Sequence, residues 1–319
     1  MTHDLIIIYE HPEWHLPLFA ALERRKVNFG KIDLRSSAYH EDELPQAKLY
    51  YNMVSPSAYK RGNQRAVPYS LALCRHLESQ GARVLNGSVS VTIEMSKSAQ
   101  ISLMKKMGVD HPKTMVFNNV DALRRMSERI PFPVILKLEQ GGSGARMYLA
   151  NNWEELEEIL VTDKDIWWPD NLLLVQEKLD YDKDHGIVRL EFLGGEFLYA
   201  MRVITHDTFN LCPSLVCNPE EEDGTCAIPV ELMPKPEFYP YTDTPLQVIA
   251  NAKEIMKAAG HSSGSVEYAI TKDGRTAIYD INANSNLREP IAEAFGIKPF
   301  EAVVGFLLEE LKAVKLSNG

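Results

Sequence analysis

Glu267-Tyr-Ala-Ile-Thr-Lys-Asp273-Gly274-Arg-Thr-Ala-Ile-Tyr-Asp280 sets an Asp-Gly step between two alternating apolar runs. In that setting Asp-Gly predicts a two-residue type I′ hairpin. The register then pairs Lys272 with Arg275, and counting outward brings Glu267 opposite Asp280. Asn282, two residues further on, shares the face of Asp280. Two carboxylates placed directly opposite repel unless something offsets their charge. A divalent cation held by oxygen ligands would do so, and magnesium commonly uses one or two carboxylates. Glu267, Asp280 and Asn282 are therefore candidate metal ligands. The plain alternative is a solvated strand face with both acids in water.

A second hairpin lies upstream, Arg189-Leu-Glu-Phe-Leu193-Gly194-Gly195-Glu196-Phe-Leu-Tyr-Ala200-Met-Arg202. A Gly-Gly turn pairs Leu193 with Glu196, so Arg189 faces Ala200 and lies diagonal to Arg202. Both guanidinium groups emerge on one face in this register. Val188, Leu190, Phe197, Tyr199 and Met201 take the other face and read as core. Paired arginines suit an anion such as phosphate, which accepts forked hydrogen bonds. Alternatively, Glu191 neutralises one of them in a surface cluster.

Working back from these hairpins, the pattern from Val91 to Glu177 alternates helices and strands. Lys97 sits early in a helix ended by Gly108, and Pro112 precedes a strand at 114–117. Asn119 and Asn152 are placed to cap helices. Lys137 lies in the apolar strand Val134–Leu138, just before the turn Gly141-Gly142-Ser143-Gly144. Leu172–Glu177 reads as a buried strand. Before Val91, an apolar run at 4–9, a helix at 16–26, strands at 29–34 and 48–53, a helix at 69–80 and a strand at 83–85 suggest a small parallel sheet. No Gly-x-Gly-x-x-Gly follows the first strand, so a dinucleotide site there has no support. The acidic stretch 213–245 reads as a long loop or insertion. Three lobes result, at 1–90, 91–172 and 173–319.

Composition narrows the function classes. The 319 residues carry a net charge of −10, which argues against a nucleic-acid surface. No apolar run reaches the roughly 18 residues of a membrane helix, and Leu5–Tyr9 is too short for a signal-peptide core. Four cysteines do not make a disulfide framework, so a cytoplasmic protein with reduced thiols is expected. Cys212, Cys217 and Cys226 crowd one segment near His206 without the spacing of structural zinc. His11 and His15 flank Trp14 after the first strand and read as surface or core histidines.

Taken in order, Lys97, Lys137, Gly141–Gly144, the run Val175-Gln-Glu-Lys-Leu179, Arg189, Arg202, Asn210, Glu267 and Asp280-Ile-Asn282 resemble the ATP-grasp superfamily. The resemblance is nearest to its RimK-like and glutathione-synthetase-like carboxylate–amine ligases. It implies an α/β ATP-grasp fold preceded by a small βαβ pre-ATP-grasp domain. It also implies roles. Lys97, Lys137, Gly142, Ser143, Gly144, Gln176, Glu177 and Leu179 would bind ATP, and an acid such as Asp184 would hold the ribose. Glu267, Asp280 and Asn282 would carry two magnesium ions, with manganese an alternative. Arg189, Arg202 and Asn210 would be catalytic, and Arg288 would meet a substrate carboxylate or else form a helix-start salt bridge with Glu289. The implied reaction joins a carboxylate to an amine on an amino acid or peptide, releasing ADP and phosphate. Rival readings are a carboxylate kinase, a carboxylate–thiol ligase and a non-catalytic nucleotide-binding regulator. Neither nucleic acid nor membrane is an expected partner, and a homo-oligomer is left open.

Overall fold

The computed structural model describes residues 2–43, 45–141, 146–182, 186–205, 236–285 and 287–317, with side chains to 314. Three sheets organise the chain. The first is wholly parallel, in the order β2-β1-β3-β4, built from β1 (Leu5–Tyr9), β2 (Phe29–Asp33), β3 (Leu49–Asn52) and β4 (Arg83–Leu85). β1 is apolar along its length because both of its faces are covered. Leu5 and Ile7 pack against α1 (Leu16–Arg24). Ile6 and Ile8 face the side of α2 (Ala66–Ser79), where Leu73 and Leu77 join their cluster.

α3 (Ser88–Glu94) and α4 (Lys97–Lys106) lead to a four-stranded antiparallel sheet, β5-β8-β6-β7. It comprises β5 (Thr114–Phe117), β6 (Val134–Leu138), β7 (Tyr148–Ala150) and β8 (Leu173–Glu177). Leu123 of α5 (Val120–Arg124) and Leu156 and Leu160 of α6 (Trp153–Thr162) cover one face. Both helices start where the sequence places them: Asn119 Oδ1 accepts from Ala122 N–H (3.0 Å) and Asn152 Oδ1 from Glu155 N–H (2.9 Å).

The third sheet is antiparallel, β11-β10-β9-β12-β13. Its strands are β9 (Ile187–Leu193), β10 (Glu196–Ile204), β11 (Glu237–Tyr241), β12 (Ser263–Ile270) and β13 (Thr276–Asn282). One face packs Val188, Leu190, Val266 and Tyr268 against Met104 of α4 and Ala252, Ile255 and Met256 of α7 (Leu246–Ala258). The opposite face carries the polar site. α8 (Glu289–Ala294) and α9 (Pro299–Ser317) close the chain, and Val304, Leu307 and Leu311 of α9 return to the first sheet beside Leu5 and Leu49. Among the described residues no helix is long and apolar enough to cross a membrane.

Three details differ from the sequence reading. Part of the expected loop 213–245 is β11, an edge strand whose Pro240 is tolerated because an edge leaves one side of the ladder unpaired. The Asp-Gly turn closes a three-residue loop: Thr271 N–H donates to Arg275 O (2.8 Å), and Gly274 takes φ +84°. Finally, β10 shifts register between Phe197 and Tyr199, so Arg189 pairs with Met201 and Arg202 with Val188.

Candidate active site

The β12–β13 ladder places Glu267 directly opposite Asp280, as the residue count requires. It does so through two offsets that cancel. The longer loop pairs Ile270 with Thr276, one residue out from the two-residue register, and a bulge between Glu267 and Tyr268 on the β12 side restores it. Because the bulge gives β13 an extra residue, Ile278 and Ile281 both reach the apolar core. Tyr279 reaches the polar face instead, and its hydroxyl donates to Glu267 Oε2 (3.0 Å).

Each carboxylate has a cation. Lys97, in the first turn of α4, forms an ion pair with Asp280 Oδ1. Arg189 Nη1 donates to Glu267 Oε1 (3.0 Å), and its Nε donates to Glu191 Oε1 (2.8 Å). Burial opposes ionisation of Asp280, but the Lys97 ammonium outweighs it and holds that carboxyl below its ordinary value. Burial pushes the Glu267 carboxyl up despite Arg189. Asn282 Nδ2 donates to Asp280 Oδ2 (3.2 Å), which turns its amide toward the pair. Glu94, buried at the end of α3, joins the same neighbourhood: Asn284 Nδ2 lies 3.4 Å from its Oε2, and burial raises its carboxyl to about 8.

From the middle sheet, Lys137 points away from the α6 side. It is buried, and its Nζ donates to Gln176 Oε1 (2.6 Å), whose Nε2 in turn donates to Thr114 Oγ1 (2.9 Å). Burial and then the like charge of Lys97 push the Lys137 ammonium down to about 8. Glu139, just past β6, ties the middle sheet to the start of α4: its side chain accepts from Ser98 N–H (3.0 Å) and its carbonyl from Lys97 N–H (3.2 Å). Lys97, from α4, and Lys137, from β6, thus approach the carboxylate pair from different elements. Glu177, at the end of β8, accepts from Lys113 N–H (3.0 Å) and pairs with Arg275 (3.1 Å), while the Leu179 side chain is buried among Ile187 and Met201.

Arg202 does not join this group. Residues directly opposite in a ladder share a face, and Arg202 is opposite Val188, which belongs to the apolar side. The guanidinium stacks over Tyr239 at 5.4 Å. A β-bulge inserts one residue, and one residue flips every side chain beyond it to the other face. Tyr199 and Met201, read as core partners of Leu190, therefore lie on the Arg189 side. The second arginine of the site is Arg288. It lines a pocket with Arg189, Glu191, Met201, Glu267 and Leu287, and it stacks on Phe238 at 3.2 Å. Burial and the charge of Arg189 lower its pKa to about 10. Gly142, Ser143, Gly144, Asp184, Asn210, His206 and the cysteines at 212, 217 and 226 lie outside the described residues. Gly141 is described, and the neighbouring Gln140 N–H donates to Asp170 Oδ2 (2.7 Å).

Sequence reasoning passed over Glu94, Glu139 and Tyr279. Glu94 and Glu139 stand three and two residues from a site lysine, a spacing that could have flagged them. Tyr279 enters only through the bulge, for which the sequence has no marker.

Comparison with known proteins places these elements. A family model described as a RimK-like ATP-grasp domain matches residues 94–211. Over that segment the chain is similar to RimK-like ATP-grasp domains, and its fold is the ATP-grasp fold. Across 94% of its length it superposes on 98% of the RimK domain ATP-grasp protein of Sphaerobacter thermophilus, with TM-score 0.67 at 16% identity. The carbamoyl phosphate synthase large chain of Vibrio cholerae is 26% identical over 264 residues, covering 78% of this chain and 23% of the relative. The coenzyme gamma-F420-2:alpha-L-glutamate ligase of Methanocaldococcus jannaschii is 25% identical over 147 residues, or 45% of this chain and 49% of the relative. The chain therefore spans about a quarter of the length of the synthase chains it matches.

Arg202→Ala is expected to cost the protein about 0.5–1 kcal/mol, the value of an exposed cation–π contact. Stabilisation of the fold by ATP should be unchanged. Thermal melts with and without nucleotide check this, and a reduced ATP-induced shift would return Arg202 to the site.

Proposed function

We propose that the protein is an ATP-dependent carboxylate–amine ligase acting on an amino acid or peptide. The observation that supports this reading best is the convergence of Lys97, Lys137, Arg189 and Arg288 on the facing pair Glu267 and Asp280. Cations drawn from two sheets around two carboxylates suit a polyphosphate bound between lobes.

In this reading the γ-phosphoryl group passes from ATP to a carboxylate oxygen, breaking the bond to the β-phosphate oxygen and leaving ADP. The amine lone pair then attacks the acyl carbon, inorganic phosphate departs with the bonding electrons, and the amine proton is lost. Protein groups need only position and neutralise. Lys97 and Lys137 reach the phosphates, and Gln176 orients Lys137. Backbone groups at Glu177 and Leu179 hold the base. Arg189 and Arg288 hold the carboxylate and the oxyanion that forms on it. Gly142–Gly144 cover the phosphates and keep water from the acyl phosphate. Glu267, Asp280 and Asn282 offer only hard oxygen acceptors on one face, which fits one or two magnesium ions. When bound, magnesium neutralises charge on the transferring phosphoryl group.

Incubation with ATP, magnesium and a panel of amino acids tests the reading. Amine-dependent ADP release with a product mass equal to the two substrates minus water is expected. Turnover without an amine would indicate a kinase, and ATP binding without turnover a regulator.

A pH dependence follows from Lys137. Its ammonium is fully present in the empty protein only below about 8, so ATP affinity should fall as pH rises through that value. The fall should be at most about tenfold per pH unit, since one proton is involved. Calorimetric titrations from pH 7 to 9.5 measure it. A flat dissociation constant would remove Lys137 from the phosphate contacts.

A further inference from the structure

Arg189 has two buried acids as partners, and only one of them is fully used. Glu267 accepts from Arg189 Nη1 through Oε1 and from the Tyr279 hydroxyl through Oε2. Glu191 stands two residues along β9 from Arg189, on the same face, and accepts from Arg189 Nε through Oε1. Its other oxygen, Oε2, is buried and has no hydrogen-bond partner among the described residues. A buried carboxylate oxygen without a donor is rare and costly, which is a reason to look for a ligand atom that meets it.

Arg288 is the converse. It lines the same pocket, and among the described residues no acid pairs with it. Burial and the charge of Arg189 accordingly lower its pKa. The pocket therefore presents an acceptor in need of a donor and a cation in need of an acid. Glu267 forms part of its wall and stands opposite Asp280, so the pocket borders the facing carboxylates. It has room for about three water molecules. That is the size of the charged head of an amino acid, its carboxylate, α-carbon and ammonium, and leaves no space for an acyl group on the nitrogen. The charged residues of the lining are Arg189, Arg288, Glu191 and Glu267, which balance when all are ionised. A zwitterion keeps that balance, whereas an acid without an ammonium adds one uncompensated charge.

We propose that Glu191 Oε2 holds the α-ammonium of the acid substrate while Arg288, with Arg189, holds its carboxylate, so that the carboxylate donor is a free α-amino acid and not the C-terminus of a peptide. The proposal rests on the ligase reading above and adds the substrate class to it. An ammonium against a carboxylate is a charge-assisted contact and stays protonated. A protonated nitrogen has no lone pair for attack, so the bound amino acid supplies its carboxylate and leaves the amine to the second substrate.

Hydroxylamine in place of the amine tests this, with the full chain, ATP and magnesium. It attacks the acyl carbon, phosphate departs, and the hydroxamate formed is measured. The common α-amino acids, the des-amino acids of the same chain length and the N-acetyl amino acids are supplied in turn. The best free amino acid should exceed its des-amino and N-acetyl counterparts by at least about tenfold in kcat/KM, because a site built to hydrogen-bond a group rejects the analogue lacking it. Glu191→Gln keeps the shape of the side chain and removes its charge. It should raise KM for the amino acid about tenfold, leave KM for ATP unchanged and bring the ratio of free to des-amino acid close to one. A structural role alone would lower turnover of both acids alike, and an unchanged ratio in Glu191→Gln overturns the proposal. The wild-type comparison decides it whether or not the variant folds. Wild-type turnover of des-amino or N-acetyl acids as fast as that of free amino acids overturns the proposal and leaves the ligase reading standing, with Glu191 Oε2 meeting only water. Hydroxamate from none of the acids overturns both.

Discussion

Asp280→Asn is expected to lower kcat by on the order of 1,000-fold or more while the protein stays folded. A loss of that size corresponds to about 4 kcal/mol of transition-state stabilisation, within what one charge-neutralising metal site supplies. Asparagine keeps the shape and one oxygen acceptor but removes the charge that, with Glu267, makes the ladder pair a cation site. Stability should change little because two effects oppose each other. The ion pair with Lys97 is lost, and the repulsion between Asp280 and Glu267 is relieved. A shift in melting temperature below about 4 °C is expected. Near-normal magnesium-dependent turnover would remove Asp280 from the metal site.

Arg189→Met is expected to be the most destabilising of the site substitutions, costing about 3–5 kcal/mol. Glu191 and Glu267 are 0% and 2% exposed, and both lean on this one guanidinium. Removing it leaves two buried carboxylates short of a counter-charge, which is far costlier than removing the whole cluster. Adding Glu191→Gln to Arg189→Met should therefore recover part of the lost stability without recovering activity. Urea unfolding of the single and double variants measures the coupling. Equal stabilities for the two would mean that Glu191 does not depend on the Arg189 guanidinium.

The separate fates of the two hairpins show how far the residues alone could be read. Alternation and turn chemistry identified both hairpins and all four of their strands, because period-two patterning and Gly-containing turns are local properties. Register depends on each inserted residue. In β12–β13 a misjudged loop length and an unseen bulge cancel, so Glu267 and Asp280 were correctly paired. In β9–β10 the turn was right and the bulge stood uncompensated, so Arg202 was placed on the wrong face. Bulges arise from the twist and packing of the whole sheet and leave no fixed residue signature. Lys137 was legible because a lysine inside an apolar run has to be accounted for, whereas Lys97, between Ser96 and Ser98, stood out only through the resemblance. β11 was missed because Pro240 argues against a strand except at an edge, and edges are assigned only once the sheet is assembled.

The central claim is phosphoryl transfer onto a substrate carboxylate before the amide forms. With an amino-acid substrate found by the ADP-release panel and labelled with ¹⁸O in its carboxylate, the mass of the released phosphate tests that claim directly. The account predicts inorganic phosphate carrying one ¹⁸O from the acid, formed in step with ADP and amide. Unlabelled phosphate released alongside the amide would show that no acyl phosphate forms, and would contradict it.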